Sequence, residues 1–114
     1  MGLDIYTSII VGRKIDKQLI EVLVPLLDEE NSLYLEQNPT DFFKEVTELE
    51  IEGEEFTIDY DYDEEKPLYF GINQSPGWWK DRELSLVEVT AAMEKFTRII
   101  GLPCSLYISP RISI

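Results

Sequence analysis

Between Glu48 and Asp63 apolar and acidic residues take turns almost one for one, and this alternation constrains the fold more than any other feature. Leu49 and Ile51 alternate with Glu48, Glu50 and Glu52. After Gly53-Glu54, Phe56, Ile58, Tyr60 and Tyr62 alternate with Glu55, Thr57, Asp59, Asp61 and Asp63. A period of two is the mark of a strand with one buried face, and two such runs around a Gly-containing turn predict a β-hairpin. With Gly53-Glu54 as the two-residue turn, Ile51 faces Phe56 and Leu49 faces Ile58. On the other side Glu52 faces Glu55, Glu50 faces Thr57 and Glu48 faces Asp59. A slip by one residue would mix the faces, so the pattern selects this register. A third strand follows the Glu64-Glu65-Lys66-Pro67 turn, where Leu68, Phe70 and Ile72 alternate with Tyr69, Gly71 and Asn73. Pairing Tyr62 with Leu68, Tyr60 with Phe70 and Ile58 with Ile72 gives all three strands a common apolar face.

The flanking segments supply the other elements. Leu3–Val11 is a β-rich apolar run closed by Gly12 and reads as a largely buried strand. Residues 16–28 carry Leu19, Ile20, Val22, Leu23, Leu26 and Leu27 on a helical stripe, with Pro25 expected to kink or split it. Asn31-Ser32 reads as a turn before a short extended piece at Leu33-Tyr34-Leu35. Asn38-Pro39-Thr40 is a second breaker, with one helical turn through Phe42 and Phe43. Residues 74–83 form a loop. Ser85 with Glu88 makes a capping box. Leu86, Val89, Met93, Phe96 and Ile100 then stripe a helix that Gly101 and Pro103 stop. Leu106, Ile108, Ile112 and Ile114 share one parity in a last strand, which Pro110 assigns to an edge or a break. The expected fold is α+β in a single compact acidic domain, 1–114. It has a mainly antiparallel sheet with a central three-stranded meander (about 47–52, 55–63 and 68–73) and N- and C-terminal strands. A helix at about 86–100 packs on the apolar face.

Charge is concentrated along the chain. The net charge is −13, from 23 Asp plus Glu against 10 Lys plus Arg. Residues 28–65 hold 16 of the acids and one base, Lys44, while the other 76 residues carry 7 acids and 9 bases. Direct binding of nucleic acid is disfavoured, because a polyanion is held by excess cations. No His is present, which excludes Ser-His-Asp and Cys-His catalysis and His-containing zinc sites. The single Cys104 can build neither an internal disulfide nor a multi-thiolate site, and its default role is a buried structural thiol. The start lacks a signal peptide's basic region, and no apolar stretch approaches the roughly 18 residues of a membrane span. The expectation is a soluble cytoplasmic chain with no cofactor.

Three readings of the carboxylates compete. Asp59-Tyr60-Asp61-Tyr62-Asp63 has the opening spacing of an EF-hand calcium loop. However, Glu64 stands where that loop needs Gly, Phe70 where it needs Glu, and the alternating tyrosines favour a strand. Paired carboxylates roughly 5–9.5 Å apart serve glycosidases, but in a cleft with one raised pKa rather than on an open charged sheet. The third reading is recognition of a cationic partner, and it is the one preferred. A stiff row of carboxylates roughly 6.7 Å apart carries charge at a density of the same order as nucleic-acid phosphates. The expected partner-binding residues are Glu48, Glu50, Glu52, Glu55, Asp59, Asp61 and Asp63. Trp79, from the Trp78-Trp79 pair, is added as a candidate loop anchor. In size, acidity and compactness the chain resembles small phage-encoded inhibitors of host defence or repair enzymes, such as anti-CRISPR proteins and uracil-DNA glycosylase inhibitors. The resemblance implies a non-enzymatic DNA mimic that blocks a protein with a basic, nucleic-acid-binding surface, in the host cytoplasm, as a monomer or homodimer. A plain acidic interaction or homo-oligomeric domain is the alternative.

Overall fold

The computed structural model describes residues 4–61, 63–74 and 86–113, with side chains described for 9–61, 63–74 and 86–108. The elements run β1 (Asp4–Lys14), α1 (Lys17–Leu26), α2 (Glu29–Gln37), α3 (Pro39–Glu45), β2 (Glu48–Ile51), β3 (Glu54–Asp61), β4 (Lys66–Asn73), α4 (Leu86–Ile100) and β5 (Ser105–Ser113). The five strands form one antiparallel sheet in the order β2-β3-β4-β1-β5. The fold is therefore the expected α+β arrangement, a meander joined by the two terminal strands, with helices packed on the sheet.

One face of the sheet makes the core. Val11, Leu49, Ile51, Phe56, Ile58, Phe70 and Ile72 join Leu19, Leu23, Leu35, Phe42, Phe43, Val89, Ala92, Phe96 and Ile99 in a single buried cluster. All five phenylalanines are fully buried. Phe56 and Phe70 stack with centroids 5.0 Å apart, and Phe96 of α4 meets each ring at 6.1 Å. Each such ring contributes about 1.5–3 kcal/mol by leaving water. These three rings therefore bolt α4 to the middle of the sheet. Phe42 and Phe43 do the same for α3, whose short stripe packs against β3 and β4.

The helices follow local chemistry. Asp16 caps α1 by accepting from the Leu19 amide at 2.9 Å, and Asp28 caps α2 by accepting from the Asn31 amide at 2.8 Å. Pro25 does not interrupt the middle of α1 but stands at its close. It lies in the last turn, and the helix ends at the next residue. The turn and extended piece expected over residues 31–35 are instead helix α2. Its pattern is weakly amphipathic and only Leu35 is buried, but the Asp28 cap with Glu29 and Glu30 in the first turn favours helix. Pro39 occupies the first turn of α3, where its missing N–H is no loss. The α4 boundaries match the sequence reading. Its capping residue Ser85, the 74–83 loop beyond Gln74 and Trp79 lie outside the described residues, as does Tyr62.

Both meander registers differ from expectation: β2–β3 by two residues, and β3–β4 by two as far as Asp59 and by three beyond it. The β2–β3 turn is Glu52-Gly53, with φ of 51° and 79°, so Leu49 pairs with Phe56 and Glu50 with Glu55. Two consecutive residues at positive φ make the turn whose twist matches a hairpin, and Gly at its second position carries no steric penalty. Along β3–β4, Ile58 pairs with Phe70 rather than Ile72, and the register shifts between Asp59 and Tyr60 so that Tyr60 meets Pro67. That bulge leaves Leu68 unopposed. It also lets Asp61 sit across from Lys66 at the strand end.

The strand β1 runs through Gly12 instead of ending at it. Gly12 pairs with Gly71 of β4, and the two backbones approach so closely that a Cβ on Gly12 would lie 2.0 Å from the Phe70 carbonyl oxygen. Neither position can carry a side chain without moving a strand. Above β1 on this outer face, the rings of Tyr69 from β4 and Tyr107 from β5 stack with centroids 4.2 Å apart. Among the described residues no helix is long and apolar enough to cross a membrane.

Candidate functional site

The acidic residues singled out for partner binding divide into three groups in space. Glu48 and Glu50 project from the outer face of β2, the first strand of the sheet, and both are exposed. Glu55 of β3 stands directly across from Glu50 and is exposed, while Thr57 stands across from Glu48. The Ile58 amide donates to the Thr47 carbonyl at 3.0 Å, which makes 47 and 58 a hydrogen-bonded pair. By alternation, 49/56 and 51/54 are bonded pairs and 50/55 is a non-bonded one. In such pairs the Cα atoms come within about 4.5 Å and the side chains crowd together. Glu50 and Glu55 are thus two like charges held as neighbours by the backbone. The same alternation turns the N–H and C=O groups of Glu48 and Glu50 away from β3, toward the open edge. Glu52 lies at the hairpin tip, exposed, in the left-handed conformation of the turn.

The remaining carboxylates do not extend this row. Asp59 shares the outer face by parity but is 7% exposed and is engaged within the fold. Sequence parity expected it to be presented like Glu48. Exposure on this face instead varies along the strands as well as across them: Glu48 and Glu50 are open on β2, Glu55 is open, Thr57 half-buried and Asp59 buried in succession along β3, and Gly71 and Ile10 are buried deeper in the sheet while Asn73 at the end of β4 is exposed. Asp61 is half-buried, and its Oδ1 accepts from the amides of Asp63 at 2.9 Å and Glu64 at 3.2 Å. It is the side chain that closes the β3–β4 turn. Asp63 is exposed in that turn, at the far end of β3 from Glu52. Eight residues of strand place the two tips roughly 24 Å apart. The continuous row expected from Glu48 to Asp63 is therefore a compact group, Glu48, Glu50, Glu55 and Glu52, separated by Asp59 from a second acidic turn.

The electrostatics sharpen this division. Several acids outside the group have local work. Asp16 pairs with Arg13 at 3.0 Å, and the Leu19 amide first, then Arg13, holds its carboxyl below the usual value. Glu45 accepts from the Tyr34 hydroxyl at 2.8 Å, which raises the phenol's pKa. Glu64 meets Lys66 at 2.6 Å and raises the ammonium's pKa. Glu54, on the helix side of the hairpin, meets Lys95 of α4 at 3.5 Å. Among the described residues, no basic side chain lies within ion-pair distance of Glu48, Glu50, Glu52 or Glu55. The exposed acids of α2 and α3, among them Glu29, Glu30, Glu36 and Asp41, add to the same chain segment without belonging to the strand row.

The calcium arrangement has no loop to form it, because Asp59 and Asp61 belong to an extended strand. Among the described residues, no group of three or more carboxylate or thiol side chains converges as metal ligands would. Cys104 is half-buried, with its Sγ 3.8 Å from the Met93 carbonyl oxygen and 3.9 Å from the Thr97 hydroxyl. Sequence reasoning missed the Tyr69–Tyr107 stack. Its signal was faint: one aromatic on the outward parity of each of two strands, without the strand order that makes them neighbours across β1. Compared with protein-family models, with curated proteins and with solved structures, the chain finds no match.

Proposed function

We propose that the chain is a small acidic binding protein that docks the carboxylate edge of its sheet into a cationic, nucleic-acid-binding surface of another protein. Glu48, Glu50 and Glu55 are the contact charges, with Glu52 at the leading tip. The observation that carries this reading is the Glu50–Glu55 pair. Directly opposed like charges destabilise a strand pair, and a fold is better served by Thr, Lys or Arg at either position. Here the repulsion is set on a stiff hairpin with no described cation beside it. Its same-face spacing along the strand, roughly 6.7 Å, presents charge at a density of the same order as nucleic-acid phosphates. Such a surface gains from steering: attraction to a basic groove speeds encounter and makes affinity fall with salt. The mode of action is that of a DNA-mimicking inhibitor of the anti-CRISPR kind, with no catalytic step.

The test is capture of partners from extracts with the immobilised wild-type chain and with the Glu48→Lys, Glu50→Lys, Glu55→Lys triple variant. The expected result is retention of nucleic-acid-binding proteins by the wild type only, released by added double-stranded DNA or by high salt. Retention of the same proteins by the triple variant, or indifference to competing DNA, refutes the reading. Asp59 is left out of the variant because it is buried.

A second reading rests on the position of β2 at the edge of the sheet. Charged side chains on a short edge strand block strand-to-strand aggregation. On this reading the triple variant leaves binding intact, and neutral Gln at the same positions makes the protein self-associate through β2.

A further inference from the structure

We propose that β5 is a docking edge for a second copy of this chain, which pairs antiparallel to it about Tyr107 and joins two five-stranded sheets into one. The two edges of the sheet are unlike. The β2 edge is four residues long and carries Glu48 and Glu50. The β5 edge is nine residues long and carries one charged residue, Arg111. Among the described residues no strand pairs with the side of β5 away from β1.

The bonding pattern of that edge follows from two hydrogen bonds. The Gln74 amide donates to the Ile9 carbonyl at 2.8 Å, and the Ile15 amide donates to the Leu68 carbonyl at 3.0 Å. The odd-numbered residues of β1 therefore bond to β4, and its even-numbered residues bond to β5. In the β1–β5 register Ile10 meets Tyr107 and Gly12 meets Ser105. Hence odd residues of β5 bond to β1, and Leu106, Ile108, Pro110 and Ile112 turn their main-chain groups outward. Pro110 falls on an outward position, where its missing N–H costs no bond to β1. Antiparallel pairing centred on Tyr107 sets Leu106 opposite Ile108 of the second copy, and Ile108 opposite its Leu106. That gives four main-chain hydrogen bonds without using Pro110. It also covers Ile108, a large apolar side chain left 59% exposed at the edge.

Charge admits a second copy at this edge and disfavours a chain of copies. The exposed edge carboxylates Glu48 and Glu50 lie on β2, four strand intervals or roughly 19 Å from β5. Two molecules joined at β5 keep their carboxylate edges at opposite ends, far beyond the Debye length of roughly 8–10 Å. Joining β5 of one copy to the short acidic β2 of the next offers few bonds. The assembly closes as a two-fold dimer instead of growing.

Sedimentation equilibrium of the full chain over a concentration series tests the proposal. The wild type is expected to show a reversible monomer–dimer equilibrium. Ile108→Pro removes one outward donor per copy while sparing the β1 ladder, and is expected to raise the dimer Kd roughly tenfold or more. Ile108→Lys, whose fold is easier to keep, is expected to do likewise, with circular dichroism confirming the native fold. Leu33→Lys, at an exposed apolar residue of α2, should leave the dimer unchanged. In a Cys104→Ser background, Tyr107→Cys should form an intermolecular disulfide on oxidation, since facing residues at the two-fold centre meet the Cα spacing a disulfide needs. A wild type that stays monomeric throughout, or a dimer weakened equally by Leu33→Lys and Ile108→Lys, overturns the proposal.

Discussion

Reversing one charge of the Glu50–Glu55 pair should stabilise the protein. The two residues face each other as a non-hydrogen-bonded antiparallel pair, and both are exposed. Carboxylates about 6 Å apart repel by roughly 0.7 kcal/mol in water, and a Lys at one position turns this into attraction of like size. With a Debye length of about 10 Å at 0.1 M salt, screening trims the swing to roughly 1 kcal/mol per single variant. That agrees with the roughly 0.2–1 kcal/mol found for cross-strand pairs. In a domain of this size it corresponds to about 4 °C in Tm. Urea denaturation of wild type, Glu50→Lys, Glu55→Lys and the double variant measures it as a cycle. Each single change should raise the midpoint without changing the slope. The double change restores a like-charged pair, so it should be less stable than the sum of the singles by roughly 2 kcal/mol at low salt, and closer to additive near 1 M salt. Strict additivity at low salt would mean that the side chains splay apart. The argument that this pair is kept at a cost to stability would then fail.

Other outcomes follow from the same structure. Gly12→Ala should cost about 3 kcal/mol or more, because its Cβ would stand 2.0 Å from the Phe70 carbonyl oxygen; Gly53→Ala, with no atom near its Cβ but a φ of 79°, should cost about 1–2 kcal/mol, and equal midpoints in urea would refute the distinction. Glu52→Asn should stabilise the hairpin by a few tenths of a kcal/mol up to about 1 kcal/mol in thermal melts, since Asn tolerates the left-handed conformation that Glu52 holds at φ 51°. Asp16→Ala should cost about 1 kcal/mol at neutral pH through loss of the α1 cap. Because folding lowers the Asp16 pKa below 3.8, the ionic share of that cost is present above about pH 4 and disappears as pH falls through the folded value; urea melts across that range should show the gap between Asp16→Ala and wild type narrowing.

Periodicity carried the local story. The alternation from Glu48 to Asp63 specified strands and faces, and the stripe from Leu86 to Ile100 specified α4, because burying one face of a regular element dictates which side chains must be apolar. Register was only half legible. Moving the turn from Gly53-Glu54 to Glu52-Gly53 shifts pairing by two residues and leaves every face intact, so hydrophobic pattern cannot tell the two apart. Backbone strain does: Gly at the second turn position is the favoured arrangement. The helix α2 was hidden because a weakly amphipathic segment has little periodic signal, and only its Asp28 cap announced it.

Which carboxylates stand open on the surface was decided by the sheet. Local sequence gives Asp59 and Glu48 the same outer face, yet one is buried and the other open, because exposure depends on where in the sheet a residue lies, along its strand as well as across the strands. That position follows from strand order, and strand order follows from contacts between residues far apart in the chain. The last strand pairs with the first, which carries β1 into the interior and leaves β2 and β5 as edges. The chain by itself determined that an acidic, one-sided meander would form. Long-range packing determined that the local cluster of Glu48, Glu50 and Glu55 stands at the sheet's margin while Asp59 is taken inside.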